Sequence, residues 1–238
     1  MDLKEEDILG DSVSEHWYYR SKASALLSYV KHLDPQSILD IGAGSGFFSK
    51  ELLKRTRAKE VFCIDTSYTE DRNELISGKP VQYRTHTGPV DVDLVLMMDV
   101  LEHVDDDVGL LREYADKVPA GTHFLITVPA FSFLWSGHDV FLEHKRRYTL
   151  KEIEKTIDKS GLKVEHGSYF YGLVFPLAAI QRLIFARIKS NSHSPQSQLK
   201  YNSAIVNMVL TGICTADKLF LKFNRLAGLT AFCLARKP

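Results

Sequence analysis

The segment ILDIGAGSGFFS, residues 38–49, constrains this chain more than any other. An apolar run ends at Asp40, glycines occupy three alternate positions, and a helix-forming stretch follows, so a buried strand must turn sharply into a helix. Gly42, Gly44 and Gly46 free the backbone to turn tightly and let a ligand approach it to van der Waals distance, which side chains would prevent. Dinucleotide-binding loops read GxGxxG. The GxGxG spacing here, with a carboxylate two residues ahead, points to a flat polar ligand other than a pyrophosphate.

Downstream, SILDIG, EVFCID, DLVLMM and HFLITV read as short strands. SGFFSKELLKRT, SYTEDRNELI and DDVGLLREYADKV read as helices between them, and VQYRTH (81–86) as a further strand. Alternating strands and helices predict an α/β fold whose parallel sheet is covered on both faces. Apolar residues at helical spacing (Trp17, Ala23, Leu26, Leu27, Val30) predict a lead-in helix over 15–33, stopped at Asp34-Pro35. A loop rich in aromatic and charged residues (131–148) precedes the helix TLKEIEKTIDKSG and the strands LKVEHGSYFY and LTAFCLARK. Those last strands are separated by an insertion of about 173–227, with two helical candidates joined by SNSHSPQSQ. At 238 residues the chain is expected to form one domain, 1–238.

Thirty basic residues balance thirty acidic ones, which argues against nucleic acid as a partner. Cys63, Cys214 and Cys233 lie far apart in apolar runs and read as buried free thiols. With an acidic N-terminus that has no apolar core, they predict a cytoplasmic protein without a signal peptide. Pro176, Gln181 and Arg182 interrupt the first insertion helix, leaving it too short to span a bilayer. It either lies on a membrane surface with Arg182, Arg187 and Lys189 toward headgroups, or packs over the sheet edge or site; packing is favoured because apolar helix faces are usually core.

Asp65 ends the second strand about 20 residues beyond the glycines, where an acid meets ribose hydroxyls in nucleotide folds. Together with DLVLMMDVLEHVDD, the pattern over about 15–170 resembles the class I S-adenosylmethionine-dependent methyltransferases. The resemblance implies a Rossmann-like fold with a mostly parallel seven-stranded sheet, closing on an antiparallel pair of late strands, and S-adenosylmethionine as cofactor. It assigns Asp40, Gly42, Gly44 and Gly46 to the first turn, and Asp65 with Thr66 to the ribose. Met98, Asp99 and Val100 fall beside the methionine portion. Thr85, His86 and Thr87 stand where many members place an acid for the adenine amino group, a departure from the pattern. EHWYYRSKASALL resembles the lead-in helix of a bacterial subgroup, in which Arg20 would pair with the cofactor carboxylate; a solvated helix face is the alternative.

WSGHDVFLEHKRRYT (135–149) resembles that subgroup's WxxHDxxxxHxRRYT segment, which faces the acceptor. His138, favoured over His144, is the expected base for an acceptor hydroxyl, with His103 a further candidate. Asp139, Arg146, Arg147 and Tyr148 are expected to contact the acceptor, the arginines gripping a phosphate or carboxylate, or else to form an ion-paired clamp that shapes the loop. No metal site is expected, because His138, Asp139 and His144 match no common ligand spacing. The expected reaction is O-methylation of a small-molecule or lipid- or glycan-linked acceptor, with possible membrane contact through the insertion. N-methylation of a small amine, a non-catalytic cofactor-binding module and a nicotinamide dehydrogenase are the alternatives.

Overall fold

The computed structural model describes residues 10–188 and 203–238. Its sheet contains β1 (Ser37–Ile41), β2 (Glu60–Ile64), β3 (Arg72–Ile76), β4 (Lys79–Arg84), β5 (Leu94–Met98), β6 (His123–Pro129), β7 (Lys163–Phe170) and β8 (Thr230–Arg236). The strand order is β3-β4-β2-β1-β5-β6-β8-β7. The five strands from β4 to β6 run parallel, while β3, at one edge, and β8, beside β6, are antiparallel to their neighbours, and β7 pairs antiparallel with β8. β1 lies between β2 and β5, so chain direction around the sheet reverses there and a crevice opens beyond the carboxyl ends of β1 and β5.

Every residue of β1 and β5 is buried, as expected of strands covered on both faces. One core layer joins Ile38, Leu94 and Leu96 to α1 (Trp17–Val30) and α2 (Phe47–Arg55). The opposite layer joins Leu39, Val95 and Met97 to α3 (Asp107–Lys117) and α5 (Leu150–Lys159). A five-residue helix, α4 (Gly137–Phe141), lies within the expected 131–148 loop. The three cysteines are buried and form no disulfide.

Two expectations are corrected. SYTEDRNELI is not a helix: its second half is β3, an edge strand hairpinned to β4, and it raises the strand number from seven to eight. Most of β3 faces solvent, so it carries no apolar alternation. The usable signal was Ser77-Gly78, which both adopt positive φ, the backbone of a tight type I′ turn.

The insertion forms α6 (Phe175–Ile188) and α7 (Ala204–Asp217); the linker SNSHSPQSQ lies outside the described residues. α7 packs on α1, where Asn207 Oδ1 accepts from the Trp17 backbone N–H at 2.7 Å and Asn207 Nδ2 donates to the Glu15 carbonyl at 2.8 Å. An insertion side chain thus satisfies an N–H that helix geometry leaves without a partner. Arg182 does not reach toward a surface as the membrane alternative required; it donates to the Leu134 carbonyl and lies 3.8 Å from Asp139. Among the described residues no helix is long and apolar enough to cross a membrane. Asn207→Ala is expected to lower unfolding free energy by about 1 kcal/mol, read as a lower urea midpoint, with Asn207→Asp losing less because it keeps the acceptor.

Candidate active site

The turn after β1 is left-handed at all three glycines, with φ of +64° at Gly42, +55° at Gly44 and +72° at Gly46. Gly42 also has no room for a side chain, since a Cβ there would meet Val100 Cγ2 at 2.7 Å. The N–H groups of Gly42 and Ala43 both donate to the Ile64 carbonyl, at 2.8 and 3.2 Å, fastening the turn to the end of β2. Asp65 then ties the two loops together: it accepts from Gly44 N at 2.9 Å, from Ser67 N at 2.9 Å and from Ser67 Oγ at 2.6 Å. Tyr68 donates to the Gly44 carbonyl. A cavity of about 400 Å³ opens here, bordered by Gly44, Ser45, Lys50, Ser67, Tyr68 and Arg72. Thr66 is exposed beside it. Asp40 is buried beneath the turn, and that burial, with a contribution from Asp65, pushes its carboxyl up to about 6.

At the end of β5, Asp99 adopts a φ of +55°, uncommon for a residue with a side chain. Thr127 holds it from β6, donating Oγ1–H to the carboxylate at 2.9 Å. Lys22 of α1, fully buried between the rings of Tyr18 and Phe48, forms an ion pair with the same carboxylate. Burial would raise the Asp99 pKa, but the charge and hydrogen bonds of Lys22 and the Thr127 hydroxyl together hold it below the usual range. Arg20, the residue expected here, is exposed and faces Glu51 and Arg55 instead. Sequence reasoning missed Lys22, although it shares a helical stripe with Tyr18, Leu26 and Tyr29.

A second cavity, about 260 Å³, extends from Asp99 and Phe48 to His138, His144, Arg147 and Arg182. Beneath it the 135–149 segment folds around Asp139. Asp139 closes a capping box with Ser136, accepts from His144 Nδ1 at 3.0 Å, and receives Arg147 through Nε at 2.6 Å and Nη2 at 2.9 Å. Burial would raise the Asp139 pKa, but the hydrogen bonds of His144 and Arg147 hold the carboxyl far below its ordinary value. Arg146 and Tyr148 turn away from the cavity, both toward Asp107, at 3.4 and 2.9 Å. The clamp therefore describes Asp139, Arg146 and Tyr148 better than acceptor contact does, while Arg147 both clamps and lines the cavity. His138 also lines the cavity, but the carboxylate of the neighbouring Asp139 meets His144.

Glu102 is the residue that sequence spacing left without a role. It is fully buried, neither carboxylate oxygen has a hydrogen-bond partner among the described residues, and burial together with the Asp99 charge raises its pKa well above normal. Its Oε1 lies 4.0 Å from His144 Nε2, and the His144 ring meets that of His103 edge-on at 4.9 Å. Glu102, His103 and His144 bring one donor atom each within 4.8 Å of one another, a spacing a divalent ion can use. This grouping differs from the His138, Asp139 and His144 set weighed from the sequence.

A left-handed glycine turn, acids ending successive parallel strands and a reversal of strand order between them are the attributes of a class I S-adenosylmethionine-dependent methyltransferase. The family model described as a methyltransferase domain matches residues 15–167, and the chain belongs to that family. It is similar to a ubiquinone biosynthesis O-methyltransferase of Parvibaculum lavamentivorans, 25% identical over 175 residues covering 62% of this chain and 68% of the relative. The similarly named protein of Aliivibrio fischeri (strain ATCC 700601 / ES114) is 23% identical over 181 residues, 66% and 76% of the two chains. Among solved structures, a SAM-dependent methyltransferase from Archaeoglobus fulgidus shares the fold, with a TM-score of 0.54 and 17% identity over 99% of this chain and 98% of that one.

Because the native Asp139 carboxyl is held low, its stabilisation is complete above the unfolded value of 3.8 and is lost progressively as pH falls below it. Asp139→Asn is expected to be about 3 kcal/mol less stable at neutral pH, with Arg147 left buried and underpaired. It should also show a flatter loss of stability between pH 4 and 2 than the parent, in urea unfolding followed against pH.

Proposed function

We propose that this methyltransferase transfers the methyl group of S-adenosylmethionine to an oxygen of a small or lipid-linked acceptor, with His144 as the base. The contact that carries this reading is the 3.0 Å hydrogen bond between His144 Nδ1 and Asp139. Asp139 holds the Nδ1 proton, so the neutral ring presents the lone pair of Nε2 toward Glu102 and the cavity. The acceptor proton passes to Nε2, the oxygen attacks the methyl carbon in line, the carbon–sulfur bond breaks, and neutral S-adenosylhomocysteine leaves. Positioning supplies much of the rate, since the sulfonium is already an activated leaving group.

In this reading Gly42, Gly44 and Asp65 cradle the nucleoside, and Asp99 lies beside the methionine portion, flanked by Met98 and Val100. Lys22 replaces Arg20 as the cation at that end. Oxygen as the acceptor atom is favoured by the His-Asp pair and by the similarity to two O-methyltransferases. Apolar walls from Trp17, Leu134, Leu142 and Ala178 support an acceptor with a hydrophobic part.

A second reading has its own observation: the close approach of Glu102, His103 and His144 fits a divalent ion that would orient the acceptor oxygen. A cation entering there would compete with the proton for Glu102, whose pKa burial raises.

Two experiments test these assignments. In calorimetric titration with S-adenosylhomocysteine, Asp65→Ala is expected to weaken binding at least about tenfold, the loss of one charge-assisted contact; unchanged affinity would remove Asp65 from the cofactor site. With a catechol as oxygen acceptor, His144→Ala is expected to lower kcat by about a hundredfold or more, with His138→Ala milder and turnover retained after EDTA treatment. Loss of turnover in EDTA that magnesium or zinc restores would favour the second reading.

A further inference from the structure

We propose that the insertion docks this enzyme on an anionic lipid surface, through residues 219–226 and the outer face of α7. In a chain with no net charge, residues 173–227 contain seven Lys or Arg and one acid, Asp217. Asp217 is buried and accepts from the N–H groups of Gly172 and Leu173, so it offers that surface no negative charge. The insertion is the basic part of a chain whose remaining residues hold 23 Lys or Arg against 29 acids; among its described cations Arg182 faces the acceptor cavity and Arg225 pairs with Glu154 at 2.9 Å, which leaves Lys218 and Lys222 to this surface. Anionic headgroups attract such a segment, and apolar side chains beside it can enter the headgroup boundary.

The structure provides those side chains. Most of the large apolar side chains that are exposed among the described residues fall between 173 and 226. Leu219, Phe220, Phe223 and Leu226 occupy one eight-residue stretch; Phe223 is 83% exposed and Leu226 89%. Lys222 is exposed between them, bonded at 2.8 Å to His32. The stretch is held in place: Leu221 is buried beneath it, and Asn224 donates to the carbonyls of Tyr169 and Ala227. Its apolar tips are therefore displayed by an anchored turn. On α7, Ile205, Met208 and Val209 form an exposed stripe at helical spacing, while Asn207 and Cys214 face inward. Exposed apolar side chains grouped in this way mark an interaction site, and Lys218 and Lys222, within and beside the apolar turn, match an anionic lipid surface in charge.

The other insertion helix, α6, lines the acceptor cavity with Ala178, Gln181 and Arg182. On the reading of that cavity given above, the insertion joins the lipid surface to the methyl acceptor and lets an apolar-tailed substrate pass between them. Docking itself does not depend on that reading.

The test is co-sedimentation of the whole protein with vesicles of phosphatidylcholine alone or mixed with phosphatidylglycerol. Binding is expected to the mixed vesicles, falling with added salt. The double variant Phe223→Ser with Leu226→Ser, and separately Lys222→Glu, should each weaken it about tenfold or more. Unchanged melting temperature and S-adenosylhomocysteine affinity would show that the variants fold. Absence of binding to either vesicle, or equal binding by the double variant, would overturn the proposal. So would sedimentation velocity showing a dimer that the double variant dissociates, because a second copy would then cover the surface. Methyl transfer to a soluble catechol, measured in parallel, reports on the catalytic reading separately: vesicle binding together with turnover that His144→Ala leaves unchanged would sink that reading and leave docking standing.

Discussion

The whole arrangement depends on the carboxyl end of β1, where the chain must leave a strand buried on both faces and enter α2 without blocking the crevice between β1 and β5. Only a left-handed backbone makes that exit, and each of its three left-handed positions is a glycine. Packing makes the requirement stricter at Gly42, against which Val100 closes from the β5 side. The turn is then secured from β2, through the Ile64 carbonyl and Asp65. Three neighbouring strands thus fix one loop, and the cavities on either side of it inherit its geometry.

Charge is handled differently at the two ends of the crevice. At the β5 end, the buried Lys22 balances Asp99, so a carboxylate stays ionised in apolar surroundings at the cost of burying an ammonium between two rings. A few residues on, Glu102 has no such partner among the described residues, and burial beside Asp99 raises its pKa well above the ordinary carboxylate range. Beneath the second cavity Asp139 gathers His144, Arg147 and the Ser136 cap. That hub orients one imidazole, and its low pKa means that the orientation persists across the neutral range.

The insertion shows how an elaboration is built into a shared fold. α7 completes the N-terminus of α1 through Asn207, so the helix that contributes Lys22 to the site is itself stabilised from the insertion. α6 adds Arg182 to the acceptor cavity, beside Arg147 and against the same carboxylate. Two guanidinium groups facing one acid give this wall a positive character that the chain's overall neutrality conceals.

The order of strands and helices, the glycine turn and the acids at Asp65 and Asp99 were legible in the sequence, because local backbone sterics and the burial of β1 and β5 impose them over short spans. The antiparallel closing pair β7 and β8 was legible only through resemblance, since about 60 residues lie between their ends. β3 was misread because an exposed edge strand has no apolar face to write a period of two into its residues. Arg20 and Lys22 differ by two positions on one helix, and the family resemblance pointed to Arg20, with a solvated helix face as its alternative; the rotation of α1 against β5 put the Lys22 ammonium inside and Arg20 in solvent. Likewise HDVFLEHKRRYT announced an acceptor-side segment, but which histidine meets Asp139, and which arginine leaves for Asp107, depended on how five residues coil into α4. Contacts of that kind are made between distant elements, and only their packing decides which side chain arrives.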